Sequence, residues 1–501
     1  MRSLAGWIER HAAFAPARIA IESPAGALDY AAFAARIATL AHWLEHHERI
    51  APGDRVAWLG HNSSEQLALL FACADLGAML LPLNWRLSPP ELEAVLHDAG
   101  AGLLVVDASC AALGAELAGL RRVMAGAGGA DDPDHLPATD PGLRLVAREV
   151  AAETPLLLVY TSGTTGRPKG AVLSQQALLF NALNAVHMHD LTASDRVLNV
   201  LPLFHVGGIN IQTLPTLYCG GSVYLEPRFD PAQTLDLIAR WRPSLTVLVP
   251  AVIKALVELP GWVSADLGSL RAVATGSTDV PVGAITALHE RGVAVIQIYG
   301  STETGPVAVY QRIEDAFDTV GSIGRVGLHT EVRLVDTAGA AVGLDVPGEI
   351  LVRGPHVASG YWDATRAAAV PFADGWFHSG DVAAQDARGL LWFKDRIKHV
   401  IISGGENIYP AEIERVLEGS PLLREAAVAG RTDPRWGEVP VIVAVPADPS
   451  VTREAVLGLC DGVLARYKRP RDVVFVDALP RTALGKVEVA RLRELVGGGK
   501  S

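Results

Sequence analysis

A run of hydroxyl side chains interleaved with glycines and closed by a lysine has the make-up of a phosphate-binding loop. It reads Tyr160-Thr161-Ser162-Gly163-Thr164-Thr165-Gly166-Arg167-Pro168-Lys169-Gly170 and directly follows the apolar run Leu156 to Tyr160. Backbone N–H groups, hydroxyls and a terminal ammonium can together surround phosphate oxygens. Short Gly/Ser/Thr loops after strands are commonly solvated turns; the length of this one and its lysine favour the phosphate. It is not a Walker loop, because Lys169 lies between Pro168 and Gly170 where that motif needs Gly-Lys-Ser/Thr. Gly499-Lys500-Ser501 lacks the earlier glycine and any following helix.

Such a loop has to be held at the end of a strand. From residue 155 onward short apolar runs alternate with helical patterns: Leu156 to Tyr160, Arg196 to Leu201, Ser222 to Leu225, Leu245 to Val249, Arg271 to Ala274 and Val295 to Tyr299. That rhythm predicts βαβ units around a largely parallel sheet. Ligands of open α/β sheets gather at the carboxyl ends of strands, where several of these runs meet Gly, Ser, Thr or Pro. The apolar stretch Leu67 to Leu83, broken by Asp75 and Gly77 and ending at Pro82, predicts a buried helix followed by a strand. Ala125 to Pro141 predicts a surface loop. A helix is expected to open in Asn407-Ile408-Tyr409-Pro410-Ala411-Glu412-Ile413, with Pro410 in its first turn and Gly419 stopping it.

The bulk of the chain narrows the field. Its 501 residues call for more than one structural unit, and 50% hydrophobic with 20% charged residues describes a globular protein without a transmembrane span. Glu9, Arg10 and His11 interrupt the stretch where a signal peptide would be apolar, so the cytoplasm is expected. Cys73, Cys110, Cys219 and Cys460 are too scattered for a disulfide framework or zinc site. A net charge of -12 disfavours nucleic acid, leaving any anion to be held by local groups. No GxSxG elbow is present.

The loop resembles the signature of the AMP-forming adenylating enzymes, the superfamily of acyl- and aryl-CoA synthetases, peptide-synthetase adenylation domains and firefly luciferase. Five further segments recur in that family's order: LPLFHVGG (Leu201 to Gly208), IYGSTETGP (Ile298 to Pro306), GWFHSGD (Gly375 to Asp381), KDRIKHVIISGGENIYPAEIE (Lys394 to Glu414) and LPRTALGKV (Leu479 to Val487). The resemblance covers essentially the whole chain. It implies an α/β fold: a large N-terminal adenylation domain of several subdomains with parallel-rich sheets over residues 1–395, and a small mobile α+β domain over 396–501.

It also implies roles. Thr161, Ser162, Gly163, Thr164, Thr165, Gly166 and Lys169 would hold ATP phosphates, with Gly276, Ser277, Gly300 and Ser301 beside the nucleotide. Tyr299 would stack on adenine, Gly300 allowing close backbone approach. Thr302 matches a ligand of the α-phosphate and Glu303 the carboxylate for Mg2+, a hard cation that needs few protein oxygens when it arrives with ATP. Asp381 would accept both ribose hydroxyls, and Arg396 would reach ribose and phosphates through its fork of donors. Lys486 matches the lysine that bridges the substrate carboxylate and the α-phosphate, where two anions must meet and charge builds at phosphorus. Lys398 matches the hinge of a rotating small domain. Ser403, Gly404 and Gly405 would make room for pantetheine. Arg466, Lys468 and Arg469 would meet the phosphates of coenzyme A or form a solvated basic turn. His205, with Gly207 and Gly208 leaving space beside it, would line the acid pocket and gate the thiol.

Two departures bear on the substrate. The family's Gly-Gly/Ala-Ala-Pro segment is replaced by Gly276-Ser277-Thr278-Asp279, and Ile298 stands where many fatty-acyl and hydroxycinnamoyl relatives have glycine. If the Ile298 side chain points into the pocket it shortens it. Gly305-Pro306-Val307 resembles 4-coumarate:CoA ligases. A compact apolar or aromatic acid is therefore expected, with a medium- or long-chain fatty acid as the alternative.

The reaction implied has two halves. A carboxylate attacks the α-phosphate of Mg-ATP to give acyl-AMP and pyrophosphate, and then a thiol takes the acyl group. Coenzyme A is the expected thiol, since no carrier domain follows; loading of a separate carrier protein is the alternative. A non-catalytic nucleotide sensor is disfavoured by the presence of Glu303, Asp381, Arg396 and Lys486. The expected partners are thus ATP, Mg2+, coenzyme A and a small acid, without nucleic acid or integral membrane association; the sequence leaves assembly into a homo-oligomer open.

Overall fold

The computed structural model describes residues 1–126, 132–161, 168–276, 280–362, 372–403, 406–464, 466–482 and 485–497. By packing, the chain divides into two units: Met1–Val280 with Ala284–Val332 and Val352–Phe377, and Pro281–Gly283 with Arg333–Leu351 and His378–Ser501. Among the described residues no helix is long and apolar enough to cross a membrane.

The first unit is α/β, as expected, and holds two sheets. One has the order Arg325–Val326, Val309–Tyr310, Ala294–Tyr299, Ala272–Gly276, Leu245–Val247, Arg196–Asn199, Ser222–Leu225, Ile19–Ser23, Gly26–Asp29, parallel from Ala294–Tyr299 through Ile19–Ser23. The other runs Gly360–Tyr361, Lys169–Ser174, Pro155–Thr161, Met79–Leu83, Arg55–Leu59, Leu103–Asp107, Arg121–Ala125; its first three strands pair antiparallel.

Helix ends follow local chemistry. Ser63 caps the helix Ser64–Leu76 by accepting from Glu65 N–H, and Gly77 ends it at φ 70°. Every residue from Gln66 to Leu76 is buried, which explains the absence of any polar face in the sequence. Ser174 caps Gln175–His189 and Asp230 caps Pro231–Trp241 in the same way.

Element boundaries differ from the sequence expectation in places. The strand Met79–Leu83 runs through Pro82, which lies opposite Trp58 in register, so the proline does not end it. The strand from Arg196 stops at Asn199, whose side-chain amide donates to Leu201 O (3.0 Å) and turns the chain. The helix expected to open at Pro410 does so and runs Pro410–Leu417, with Glu418 at its cap and Gly419, at φ 73°, directly beyond.

The second unit has its own antiparallel-rich sheet, order Glu406–Ile408, Ile401–Ser403, Gly437–Pro446, Leu423–Asp433, with Asp472–Phe475 parallel to Gly437–Pro446. One face is covered by Ile413 and Leu417 together with Val456 and Cys460, the other by Leu479, Leu492 and Val496. Outside that sheet, the strands Trp376–Gln385 and Leu391–Arg396 pair antiparallel from Asp381 opposite Arg396 to Gln385 opposite Leu391.

Candidate active site

In the first unit the site is built around the turn after the strand Ala294–Tyr299. Thr302–Thr304 form a short 3-10 turn and are buried. A Cβ on Gly300 would run into the Pro306 carbonyl and stand 2.8 Å from Thr304 Oγ1, so the turn's own closure demands this glycine. The peptide Gly305-Pro306 is cis.

Neutral side chains from distant parts of the chain hold this turn. Asn181 accepts from Val307 N–H (2.9 Å) and donates to Asn210 O (2.7 Å), while Asn210 donates to Gly305 O (2.7 Å). Asn184 donates to Val307 O (2.9 Å) and to Thr330 Oγ1 (3.1 Å). His356, wholly buried, donates from Nδ1 to Thr304 O (2.8 Å) and accepts at Nε2 from the Thr330 hydroxyl (2.8 Å). Burial lowers the pKa of His356 to about 4, against the opposing effect of its bond to Thr304, so the imidazole is neutral.

Glu303 is fixed twice. Its backbone carbonyl accepts from Ala358 N–H (2.7 Å), and Oε1 accepts from the Tyr361 hydroxyl (2.6 Å). Burial first, then the carboxylate of Glu303, push the Tyr361 phenol well above its ordinary pKa, so it remains a donor. Lys169 Nζ lies 5.4 Å from the centre of the Tyr361 ring, over its face. Among the described residues no cluster of three or more His, Cys, Asp or Glu could hold a metal alone. A cation that arrives with ATP keeps waters and phosphate oxygens and needs only one or two protein oxygens. Glu303, whose Oε2 accepts from none of the described residues, fits that need.

Thr161 lies opposite Lys169 in register, and its hydroxyl donates to Lys169 O (3.4 Å). Tyr160 donates to Asp98 Oδ2 (2.5 Å), fixing the strand end from which the loop departs. Ser162, Gly163, Thr164, Thr165 and Gly166 lie outside the described residues, as do Ser277, Gly404 and Gly405.

His205 caps the turn Val206–Gly208, its Nδ1 accepting from Gly207 N–H (3.0 Å). That bond leaves the ring proton on Nε2. A Cβ on Gly207 would come 3.2 Å from His205 Nδ1, and one on Gly208 would strike the carbonyls of Leu201 and Pro202. Gly208 therefore allows close backbone packing at this turn. Ile298 is 6% exposed and lies in the apolar core of this unit, opposite Gly276 on one neighbouring strand and Tyr310 on the other.

The second unit carries a separate charged group. Arg396 Nε lies 3.0 Å from Asp381 Oδ1. Gly380, at φ 69°, and the Ser379 hydroxyl, which accepts from Asp381 N–H (3.1 Å), shape the strand at this point. Asp395 ties the next segment down by accepting from Arg396 N–H (2.7 Å) and Ala411 N–H (2.9 Å). Lys486 ends a tight turn closed by Thr482 N–H donating to Lys486 O (2.7 Å), with Gly485 at φ 79°. The residue is exposed as a whole, yet burial of its ammonium end lowers its pKa, Arg396 lowers it further, and Asp381 opposes both. Lys398 is lowered by the same three causes in the same order. Asp381, Arg396, Lys398 and Lys486 thus share one electrostatic neighbourhood. Lys468 pairs with Glu412 (2.7 Å) and Arg469 with Asp461 (2.7 Å), while Arg466 is exposed. Ser403 lies opposite Gly437 at the end of its strand.

Tyr361, His356, Thr330, Asn181, Asn184, Asn210 and Asp395 are absent from the residues singled out in sequence. Asn181 and Asn184, three apart within a buried helix, were the visible signal: amides on an apolar face need partners.

The AMP-binding enzyme family matches residues 8–362, and the AMP-binding enzyme C-terminal domain matches 412–486. An indoleacetate–CoA ligase of Aromatoleum aromaticum is 48% identical over 98% of both chains. A feruloyl-CoA synthase of an Amycolatopsis species is 42% identical over 99% of both. Among solved structures, o-succinylbenzoate coenzyme A synthetase (MenE) of Bacillus subtilis in complex with ATP and a magnesium ion superposes with a TM-score of 0.83, at 30% identity over 98% of both chains.

Proposed function

The chain belongs to the AMP-binding enzymes, and we propose from that premise that it is an AMP-forming ligase that joins an aromatic carboxylic acid to coenzyme A. The acid is activated with Mg-ATP as acyl-AMP, releasing pyrophosphate, and the CoA thiol then displaces AMP. The observation that carries the aromatic reading is the 48% identity, over nearly the whole of both chains, with a ligase named for indoleacetate. The compact pocket expected from Ile298 agrees with a ring-bearing acid of modest length.

In this reading the loop Thr161 to Lys169 and Thr302 hold the phosphates, Tyr299 stacks on adenine, and Gly276, Gly300 and Ser301 flank it. Glu303 serves the magnesium ion that neutralises phosphate charge. Asp381 accepts from the ribose, Arg396 bridges ribose and phosphate, and Lys486 draws the carboxylate and α-phosphate together. The shared neighbourhood of Asp381, Arg396 and Lys486 supports that assignment, since it gathers an acceptor, a fork of donors and an ammonium. His205, Gly207, Gly208, Ile298, Gly305 and Pro306 border the acid, Lys398 is the hinge, and Ser403 with Gly404 and Gly405 meets pantetheine. The working division is an adenylation domain over 1–395 and a mobile domain over 396–501. Four free thiols, Cys73, Cys110, Cys219 and Cys460, suit a reducing compartment, which we take to be the cytoplasm.

The test is a panel of indoleacetate, ferulate, benzoate, hexanoate and palmitate, assayed by CoA-dependent pyrophosphate release. Aromatic acids are expected to give the highest kcat/KM; a clear preference for palmitate would overturn the substrate reading. Replacing coenzyme A by a holo-carrier protein tests the acceptor.

A further inference from the structure

Tyr361 meets both Glu303 and Lys169, the residues proposed to serve the metal and a phosphate. Its hydroxyl donates to Glu303 Oε1 at 2.6 Å, and its ring lies under Lys169 Nζ at 5.4 Å. We propose that Tyr361 is a positioning residue that sets the Glu303 carboxylate at a fixed separation from the Lys169 ammonium, so that the two address one metal–triphosphate. The inference rests on the adenylation reading, in which Glu303 serves the metal and Lys169 a phosphate.

Tyr361 is the fixed member of the set. The strand Gly360–Tyr361 pairs with Lys169–Ser174, Tyr361 opposite Ala171, two residues from Lys169. Its neighbours are fastened on each side: Ser359 N–H donates to Val172 O (3.0 Å), Trp362 N–H to Gly170 O (2.7 Å), and Trp362 Nε1 to Asp98 O (3.1 Å). The ring also meets Phe372 edge-on at 5.9 Å. A side chain so held cannot follow a wandering carboxylate; the carboxylate follows it. With Oε1 pinned, Glu303 presents Oε2, which saves the entropy of orienting the group when a cation arrives. The ring face keeps the lysine ammonium within reach without neutralising it.

Three variants of the full chain, Tyr361→Phe, Tyr361→Leu and Glu303→Gln, separate these contributions. Mn2+ binding is followed by electron paramagnetic resonance in the presence of α,β-methylene-ATP, which cannot react at the α-phosphate, and metal-free nucleotide binding by calorimetry. Y361F, which keeps the ring, is expected to weaken Mn2+ binding about tenfold, the usual cost of losing a group that orients a metal ligand, and to leave metal-free nucleotide affinity unchanged. Y361L is expected to weaken both. Unchanged Mn2+ affinity in Y361F, with E303Q impaired, overturns the inference alone; unchanged affinity in E303Q overturns the metal role of Glu303 and the inference with it. Thioester formation from supplied acyl-AMP guards against a folding defect: Y361F should retain it, and an equal loss of both half-reactions marks a merely structural tyrosine and overturns the inference.

Discussion

Asp381 and Arg396 stand directly opposite one another on paired antiparallel strands, the guanidinium Nε 3.0 Å from the carboxylate Oδ1. Register fixes which residues meet, so the pair is set by the backbone before any ligand binds. Arg396 is 47% exposed at its side chain, so the pair contributes little to stability, and in the proposed function its value lies in holding two ligand-binding groups ready. Arg396→Lys keeps the charge but loses the fork, and should raise KM for ATP by about tenfold with an unchanged melting temperature. Pyrophosphate exchange and a thermal melt check this; a fall in melting temperature without a change in KM would show the pair to be structural.

Lys486→Ala should slow adenylate formation by about a hundredfold or more while leaving thioester formation from supplied acyl-AMP largely intact. The lowered pKa of Lys486 adds a pH signature. The ammonium loses its proton at lower pH than an ordinary lysine, so kcat/KM for ATP, which reports the free enzyme, should decline on the alkaline side earlier than the usual lysine range. Lys486→Arg, permanently charged, should remove that limb; an unmoved limb would assign it to another group.

His356 and His189 are both wholly buried and have pKa values lowered to about 4, burial being the largest cause in each. The unfolded chain therefore binds these protons at higher pH than the folded one. Their neutral state supports the fold fully above pH 6.5, and that support is lost as pH falls toward 4, roughly 3 kcal/mol for each residue. Urea unfolding at pH 7, 5.5 and 4.5 should show the decline, and His356→Gln should flatten it while lowering stability at pH 7. Identical slopes in wild type and variant would refute the assignment.

Ile298→Ala tests the pocket. Should the side chain limit acid length, the variant gains about tenfold or more in kcat/KM for longer acids relative to wild type. Should Ile298 only fill the core, the acid profile stays as it was and stability falls by about 2–5 kcal/mol.

The strands were legible in sequence because each is encoded by contiguous residues. The expectations placed on Tyr299 to Pro306, Asp381 and Lys486 rest on contiguous motifs in the same way. What joins them was not legible. Tyr361 meets Glu303 across 58 residues, and His356 meets Thr304 across 52; no local pattern encodes such pairings. For two glycines the structure adds a cause that the sequence did not show. Gly300 and Gly208 face carbonyl groups of their own chain, crowding that exists only after the turns close. Pro82 within a strand shows the same limit, since a residue that commonly ends strands is accommodated here by its neighbours.

The turn at Thr302 to Val307 is held by three amides, a hydroxyl and an uncharged imidazole. Dissolved ions weaken attractions between charges and leave neutral hydrogen bonds nearly untouched. The framework around Glu303 therefore keeps its shape from dilute buffer to brine, and sensitivity to ionic strength is expected instead of the charged groups proposed to meet the ligand, Glu303 and Lys169 as well as Asp381, Arg396 and Lys486.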